Sequence, residues 1–115
     1  MTYEDVLSLA LSFPGAVEGT SWGEPALKIG DKFFTRLRRE DNSLVLLSVG
    51  FDEREMLMEA EPRTFHLTDH YRNYPTVLAR IETLDPGTLR NLLERRWRDV
   101  APKKAVRAYD EAQAV

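Results

Sequence analysis

Cysteine is absent from this chain, and with it go disulfides, thiolate nucleophiles and cysteine-based zinc sites. A reducing, cytoplasmic setting is the expected one. Histidine is nearly absent too: His66 and His70 are the two in the sequence, so imidazole chemistry has few places to start. There is no long apolar run. The stretch after the acidic start Met1-Thr2-Tyr3-Glu4-Asp5 is too short and too interrupted to span a bilayer, and a secretory signal would open basic rather than acidic. Neither export nor membrane insertion is expected. Charge of one sign is not in large excess either: 16 Lys and Arg stand against 19 Asp and Glu, a net of −3. That balance excludes a protein that grips a polyanion over its whole surface.

What is present suffices for one domain over residues 1–115, because 43% of the residues are hydrophobic and can bury a core. The charged residues, 30% of the chain, are mixed in sign, unlike those of a disordered segment. No internal repeat, linker or low-complexity tract interrupts it.

Local signals order the elements. Thr2 and Asp5 form a variant capping box, and Val6, Leu7, Ala10 and Leu11 follow at helical spacing, so a helix is expected to about Ser12, stopped by Phe13-Pro14-Gly15. Gly19, Gly23 and Pro25 read as a loop. Ala26 to Ile29 and Lys32 to Arg38 read as two strands, with Gly30-Asp31 suited to a type II′ hairpin turn. The second strand mixes Phe33, Phe34 and Leu37 with Arg36 and Arg38, which leaves its buried face open. Ser43 to Val49 is a nearly continuous apolar run expected at the centre of the sheet. Asp52 with Glu55 resembles another capping pair, and Phe51 with Met56 a hydrophobic staple, predicting a helix from Glu53 to about Ala60. Thr64 to Leu67 and Thr76 to Ile81 predict two more strands, separated by the aromatic loop Asp69 to Pro75. Asp85-Pro86 opens a helix with the stripe Leu89, Leu92, Leu93 and Trp97, and Ala101-Pro102 restarts a last one. The expected fold is an α+β two-layer sandwich: an antiparallel sheet of about five strands with helices on one face, in the order α-β-β-β-α-β-β-α-α.

Candidate chemistry is sparse. Gly19-Thr20-Ser21-Trp22-Gly23 matches G-x-S-x-G, but that motif needs a strand-to-helix turn, and here Glu24-Pro25 and a hairpin follow, so Ser21 is not expected to be a nucleophile. His66, Asp69 and His70 are the candidates for metal ligation, yet the spacing has meaning on a helix and a strand running into a loop is expected. Glu4, Asp5, Glu18 and Glu24 could gather as an acidic ridge; a solvated helix start is the simpler reading. The basic segments carry more. Arg36, Arg38 and Arg39 on a hairpin beside aromatics are suited to phosphate contact, with Lys28 and Lys32 alongside. On the Pro86 helix, Glu94 with Arg98 and Arg95 with Asp99 stand four apart and are expected to pair, leaving Lys103, Lys104 and Arg107 free.

Several stretches together resemble the MmcQ/YjbR family of small bacterial proteins: Leu11-Ser12-Phe13-Pro14-Gly15, Gly23-Glu24-Pro25-Ala26-Leu27-Lys28 and Gly30-Asp31-Lys32-Phe33-Phe34. His70-Tyr71, Tyr74-Pro75-Thr76-Val77-Leu78, Trp97-Arg98 and Ala101-Pro102-Lys103-Lys104 continue the likeness over nearly the whole chain. The resemblance implies a fold similar to frataxin-type and secretion-chaperone-type sandwiches and a DNA-binding module of the double-wing kind; it brings no catalytic residues. The expected function is a non-enzymatic DNA-binding module, with Lys28, Lys32, Arg36, Arg38, Arg39, Lys103, Lys104 and Arg107 as contacts. The alternative is a protein-interaction or small-ligand module using the aromatic loop surface of Trp22, His70, Tyr71 and Tyr74. DNA or another protein is the expected partner, with no membrane, cofactor or metal, and a monomer or weak homodimer is the expected state.

Overall fold

Helix α1 (Tyr3–Leu11) starts where the capping box lies: the Thr2 hydroxyl accepts from the Asp5 amide at 3.2 Å, and the Asp5 carboxylate accepts from the Thr2 amide at 2.9 Å. The structure, a computed structural model, describes residues 1–114. After Gly15, at φ +81, the chain enters strand β1 (Ala16–Ser21) and returns as β2 (Glu24–Ile29). The loop expected across Gly19 and Gly23 is therefore a hairpin, and the sheet has six strands rather than about five, with four rather than three before the second helix. β1 lies at the sheet edge with its four middle residues exposed, so no alternation of apolar and polar residues marks it. Its turn is Trp22-Gly23, with φ +55 and +79, the type I′ pattern. Trp22 stands where Asn or Gly is usual, which hides the turn in the sequence.

β3 (Lys32–Arg38) follows through Gly30 at φ +63 and Asp31, with Ile29 opposite Lys32, as a II′ hairpin requires. Then come β4 (Ser43–Leu47), α2 (Phe51–Ala60), the two-residue β5 (Phe65–His66), a 3₁₀ turn (Asp69–Tyr71), β6 (Thr76–Arg80), α3 (Pro86–Val100) and α4 (Lys103–Gln113). The order across the sheet is β1-β2-β3-β4-β6-β5, every neighbouring pair antiparallel. β4 sits centrally and is almost wholly buried, as its apolar run predicts. The cap of α2 is Gly50 rather than Asp52, with no side-chain capping bond. Phe51 and Met56 are both exposed, so no staple forms. The buried Val49, bonded through its amide to Pro75, fixes the chain two residues earlier than the capping pattern suggests.

α3 begins at Asp85, whose carboxylate accepts from the Thr88 amide at 2.9 Å, and lays Leu89, Leu92, Leu93 and Trp97 on β3 and β4. Trp97 is fully buried and its indole N–H donates to the Pro14 carbonyl at 2.8 Å. α4 joins the same layer through Tyr109, which packs on Trp97 and Phe13 and donates to Glu94 at 2.8 Å. Leu27, Ile29, Phe34, Leu44, Leu46, Val77 and Ala79 form the sheet side of this core. A bulge between β2 and β3 settles the open question of β3: Phe34 enters the core edge-on to Phe13, while Phe33 and Arg36 turn to the opposite, outer face.

A cleft on the outer face of the sheet

The bulge also opens the sheet locally. Pairing of β2 with β3 stops at Leu27 opposite Thr35, whereas β1 and β2 stay paired as far as Ser21 opposite Glu24. The distal half of the β1–β2 hairpin is thus a two-stranded ribbon, free of β3. Across from it, the loop between β5 and β6 lies over the same outer face. Between ribbon and loop is a cleft of about 710 Å³ lined by Ser21, Trp22, Glu24, Phe33, Arg36, Val45, Leu47, His70, Tyr71 and Tyr74. Trp22, His70, Tyr71 and Tyr74, named from the sequence as an aromatic surface, are brought together here. Trp22 is 100% exposed and Tyr74 57%. His70 packs edge-on to Tyr71 at 4.7 Å and lies 6.4 Å from Tyr74. A second hollow of about 420 Å³ shares His70, Tyr71 and Tyr74 and continues past them to Arg96. A shallow depression of about 560 Å³ over α1 is lined by Met1, Asp5, Ser8, Leu9, Ser12 and Pro86, with no aromatic ring.

The loop that walls the cleft is held by a residue that sequence reasoning missed. Arg54, the buried residue of α2, donates from Nη1 to the carbonyls of Tyr74 at 2.8 Å and Thr76 at 3.1 Å, with a longer contact to Tyr71 at 3.4 Å, and from Nη2 to Arg72 at 3.0 Å. Its guanidinium carbon lies 4.7 Å from the centre of the Phe51 ring. No carboxylate pairs with it among the described residues. Carbonyl dipoles stand in for a counter-ion, and the charge ties four backbone positions into one geometry. The one available signal was a lone Arg in the acidic segment from Asp52 to Glu61.

Arg36 is different. It is half-buried in the cleft, and one Nη donates to the Tyr71 hydroxyl at 3.3 Å. No carboxylate lies within ion-pair distance of it among the described residues. Its neighbours along β3 and α3 are committed. Arg38 is paired with Asp41 at 2.8 Å and Glu40 at 3.2 Å, and Arg96 donates to the Phe33 carbonyl at 2.8 and 3.0 Å. Burial pushes the Arg96 guanidinium below its usual range.

The other sequence candidates scatter. Lys28 sits opposite Phe33 on the outer face, Lys32 and Arg39 are exposed, and Lys103, Lys104 and Arg107 are exposed on α4, in the helical layer on the other side of the sheet. Arg36, Arg38 and Arg39 do not act as one basic group, because the first is in the cleft and the second is neutralised. Arg95 pairs with Glu53 of α2 rather than with Asp99, while Glu94 and Arg98 pair as expected at 3.4 Å. The four acids form no ridge: Glu4 and Asp5 stand in the first turn of α1, where Asp5 completes the cap, Glu18 sits opposite Leu27 and points to the helical side, and Glu24 lines the cleft.

His66 turns to Ser43, its Nε2 lying 2.8 Å from the hydroxyl and 3.6 Å from Asp41 Oδ2. The trio is not a nucleophilic triad. Serine and carboxylate meet the same ring nitrogen, and Ser43 is fully buried, whereas a triad uses opposite nitrogens and an accessible hydroxyl. Asp69 pairs with Arg72 at 2.6 Å instead of joining the histidines. Ser21 ends a strand before a hairpin tip, not at a strand-to-helix elbow. No group of three or more potential metal ligands occurs among the described residues. No helix among them is long and apolar enough to cross a membrane.

An open antiparallel sheet of six strands, covered by helices on one face and cleft on the other, defines a small α+β protein. The chain belongs to the YjbR family, whose model matches residues 11–99. Among its relatives are an uncharacterised protein of Mycobacterium bovis and two of Mycobacterium tuberculosis, each 28% identical over 92 residues, a stretch covering 77% of this chain and 71% of the relative. No solved structure matches it at a comparable level of significance. All the residues lining the cleft fall inside the matched span; Lys103, Lys104 and Arg107 fall outside it.

Proposed function

We propose that this protein is a non-enzymatic binding module that takes a small ligand in the outer-face cleft between the β1–β2 hairpin tip and the loop of His70, Tyr71 and Tyr74. The observation that carries this reading is Trp22. A wholly exposed indole at a strained φ of +55 contributes nothing to the core, and such strain is kept where function needs it. The cleft's 710 Å³ falls in the usual range for small-molecule sites. Arg54 pre-organises the far wall, which lowers the ordering cost of binding.

Duplex DNA is the second reading, and it draws on the half-buried Lys28 and the exposed Lys32 and Arg39 together with Lys103, Lys104 and Arg107. It has less support, since these residues are divided between two layers and the net charge is −3.

The two tryptophans supply the test. Trp97 is buried and Trp22 exposed, so a ligand in the cleft changes the red-shifted part of the emission and leaves the core signal alone. Screening a fragment library in this way is expected to yield saturable changes that Tyr74→Ala weakens. A library without a single saturable response, alongside salt-sensitive DNA binding that Lys103→Ala with Lys104→Ala abolishes, would transfer the function to DNA.

A further inference from the structure

We infer that the cleft selects a flat, ring-bearing organic monoanion, an aryl carboxylate in its simplest form. The inference rests on the cleft being the ligand site and adds the ligand's charge and shape.

The charge comes from Arg36. A guanidinium offers five N–H donors in a planar fork that matches a carboxylate in two parallel bonds. Here one donor is used, on Tyr71. The other arginines around this face have acceptors: Arg38 has two carboxylates, Arg54 four carbonyls and Arg96 the Phe33 carbonyl. A half-buried cation with idle donors is a place where an anion gains charge-assisted hydrogen bonds without displacing a resident partner. Tyr71 adds to this. Its oxygen accepts from Arg36, so its own proton is left to donate, and an anion at the Arg36 fork meets a second donor beside it.

The shape comes from the walls. Trp22, Phe33, His70 and Tyr74 line the same cleft, and stacked or edge-on packing against them favours a planar ring over an aliphatic chain. Glu24 sets the limit on charge. It lines the cleft too, so a second negative charge on the ligand, as on a phosphomonoester, meets repulsion. Aromatic walls alone would also suit a quaternary ammonium, but the fixed charge of Arg36 opposes it.

Isothermal titration of the full chain with 2-naphthoate, 2-naphthalenemethanol, 2-naphthyl phosphate, acetate and choline separates these terms. The expected result is saturable binding of naphthoate at least about tenfold tighter than the alcohol or the phosphate, with acetate and choline too weak to measure. Arg36→Gln is expected to cost naphthoate about tenfold or more, Arg36→Lys to recover part of it, and Arg38→Gln to change nothing. Equal affinity for naphthoate and the alcohol, measured on the unaltered protein, overturns the inference without needing any variant to fold. So does tighter binding of choline, or naphthoate binding that Arg36→Gln leaves unmoved. Failure of naphthoate to bind while other compounds perturb Trp22 overturns the ligand class and leaves the cleft standing. Failure of every compound in the library overturns both.

Discussion

Replacing Trp22 with Asn is expected to make the protein more stable and less able to bind. The residue is fully exposed, so removing the indole deletes no packing contact. Its backbone, at φ +55 next to Gly23 at +79, occupies a conformation that costs a bulky residue about 1 kcal/mol or more and that Asn-Gly adopts readily. Relief of roughly 0.5–1 kcal/mol of strain raises the midpoint of thermal unfolding by about 2–5 °C in a chain of this size. The binding term runs the other way. If a ligand covers about half of the ~250 Å² of the indole, the lost burial is about 3 kcal/mol at ~25 cal/mol/Å². That figure is an upper bound, because ordering the ring on binding has its own cost; a tenfold loss of affinity, about 1.4 kcal/mol, is the smallest effect consistent with the argument. Urea and thermal unfolding followed by far-ultraviolet circular dichroism give the first quantity, and isothermal titration with 2-naphthoate the second. Destabilisation by more than about 0.5 kcal/mol would show that Trp22 packs against the fold and is not held there for binding. Unchanged affinity would remove Trp22 from the site.

Arg54→Leu strips the donors from the carbonyls of Tyr71, Arg72, Tyr74 and Thr76. A loss of about 3 kcal/mol is expected, with faster hydrogen exchange across the loop and partial rescue by Arg54→Lys. A loss below about 1 kcal/mol with unaltered exchange would mean the loop holds its shape without the arginine. His66 gives the pH dependence. Burial foremost, then Arg80 and Arg38, hold it below its ordinary value of 6.5, with Asp41 acting in the opposite sense. The unfolded chain therefore takes up the proton first, so this contribution is complete above pH 6.5 and declines as pH falls through that value toward the lowered one. His66→Gln, which keeps a partner for Ser43, is expected to flatten the difference in urea midpoint between about pH 7.5 and about pH 5. An identical slope in the variant would place the acid sensitivity elsewhere.

Elements marked by local chemistry were legible without the fold. Thr2 and Asp5 announced α1, Gly30-Asp31 the II′ hairpin, Asp85-Pro86 and a leucine stripe α3, and the run from Ser43 the central strand. Each is a statement about a few neighbouring residues, and neighbouring residues are what a sequence displays. β1 was not legible, since an edge strand exposed along its middle needs no periodicity and its turn uses a tryptophan in place of asparagine. The cap of α2 was misplaced because a distant bond, from Val49 to Pro75, outweighed a favourable local pair. Arg95 likewise found Glu53 across a helix interface rather than Asp99 one turn away.

Composition and spacing by themselves determined an α+β chain without thiol chemistry, its main helices and most of its strands, while the likeness to its family lay in particular stretches such as Leu11 to Gly15 and Gly23 to Lys28. They also singled out the aromatics Trp22, His70, Tyr71 and Tyr74. Whether those four met, and what they met, was decided by the tertiary structure. A bulge between β2 and β3 separates the hairpin tip from the sheet and turns Phe33 and Arg36 outward, while Arg54 draws the distant loop into place by its carbonyls. The fate of each positive charge was decided there as well. A guanidinium is a phosphate contact, a surface ion pair or a ligand anchor according to which acceptors the fold brings within about 3 Å, and no sequence position fixes that distance.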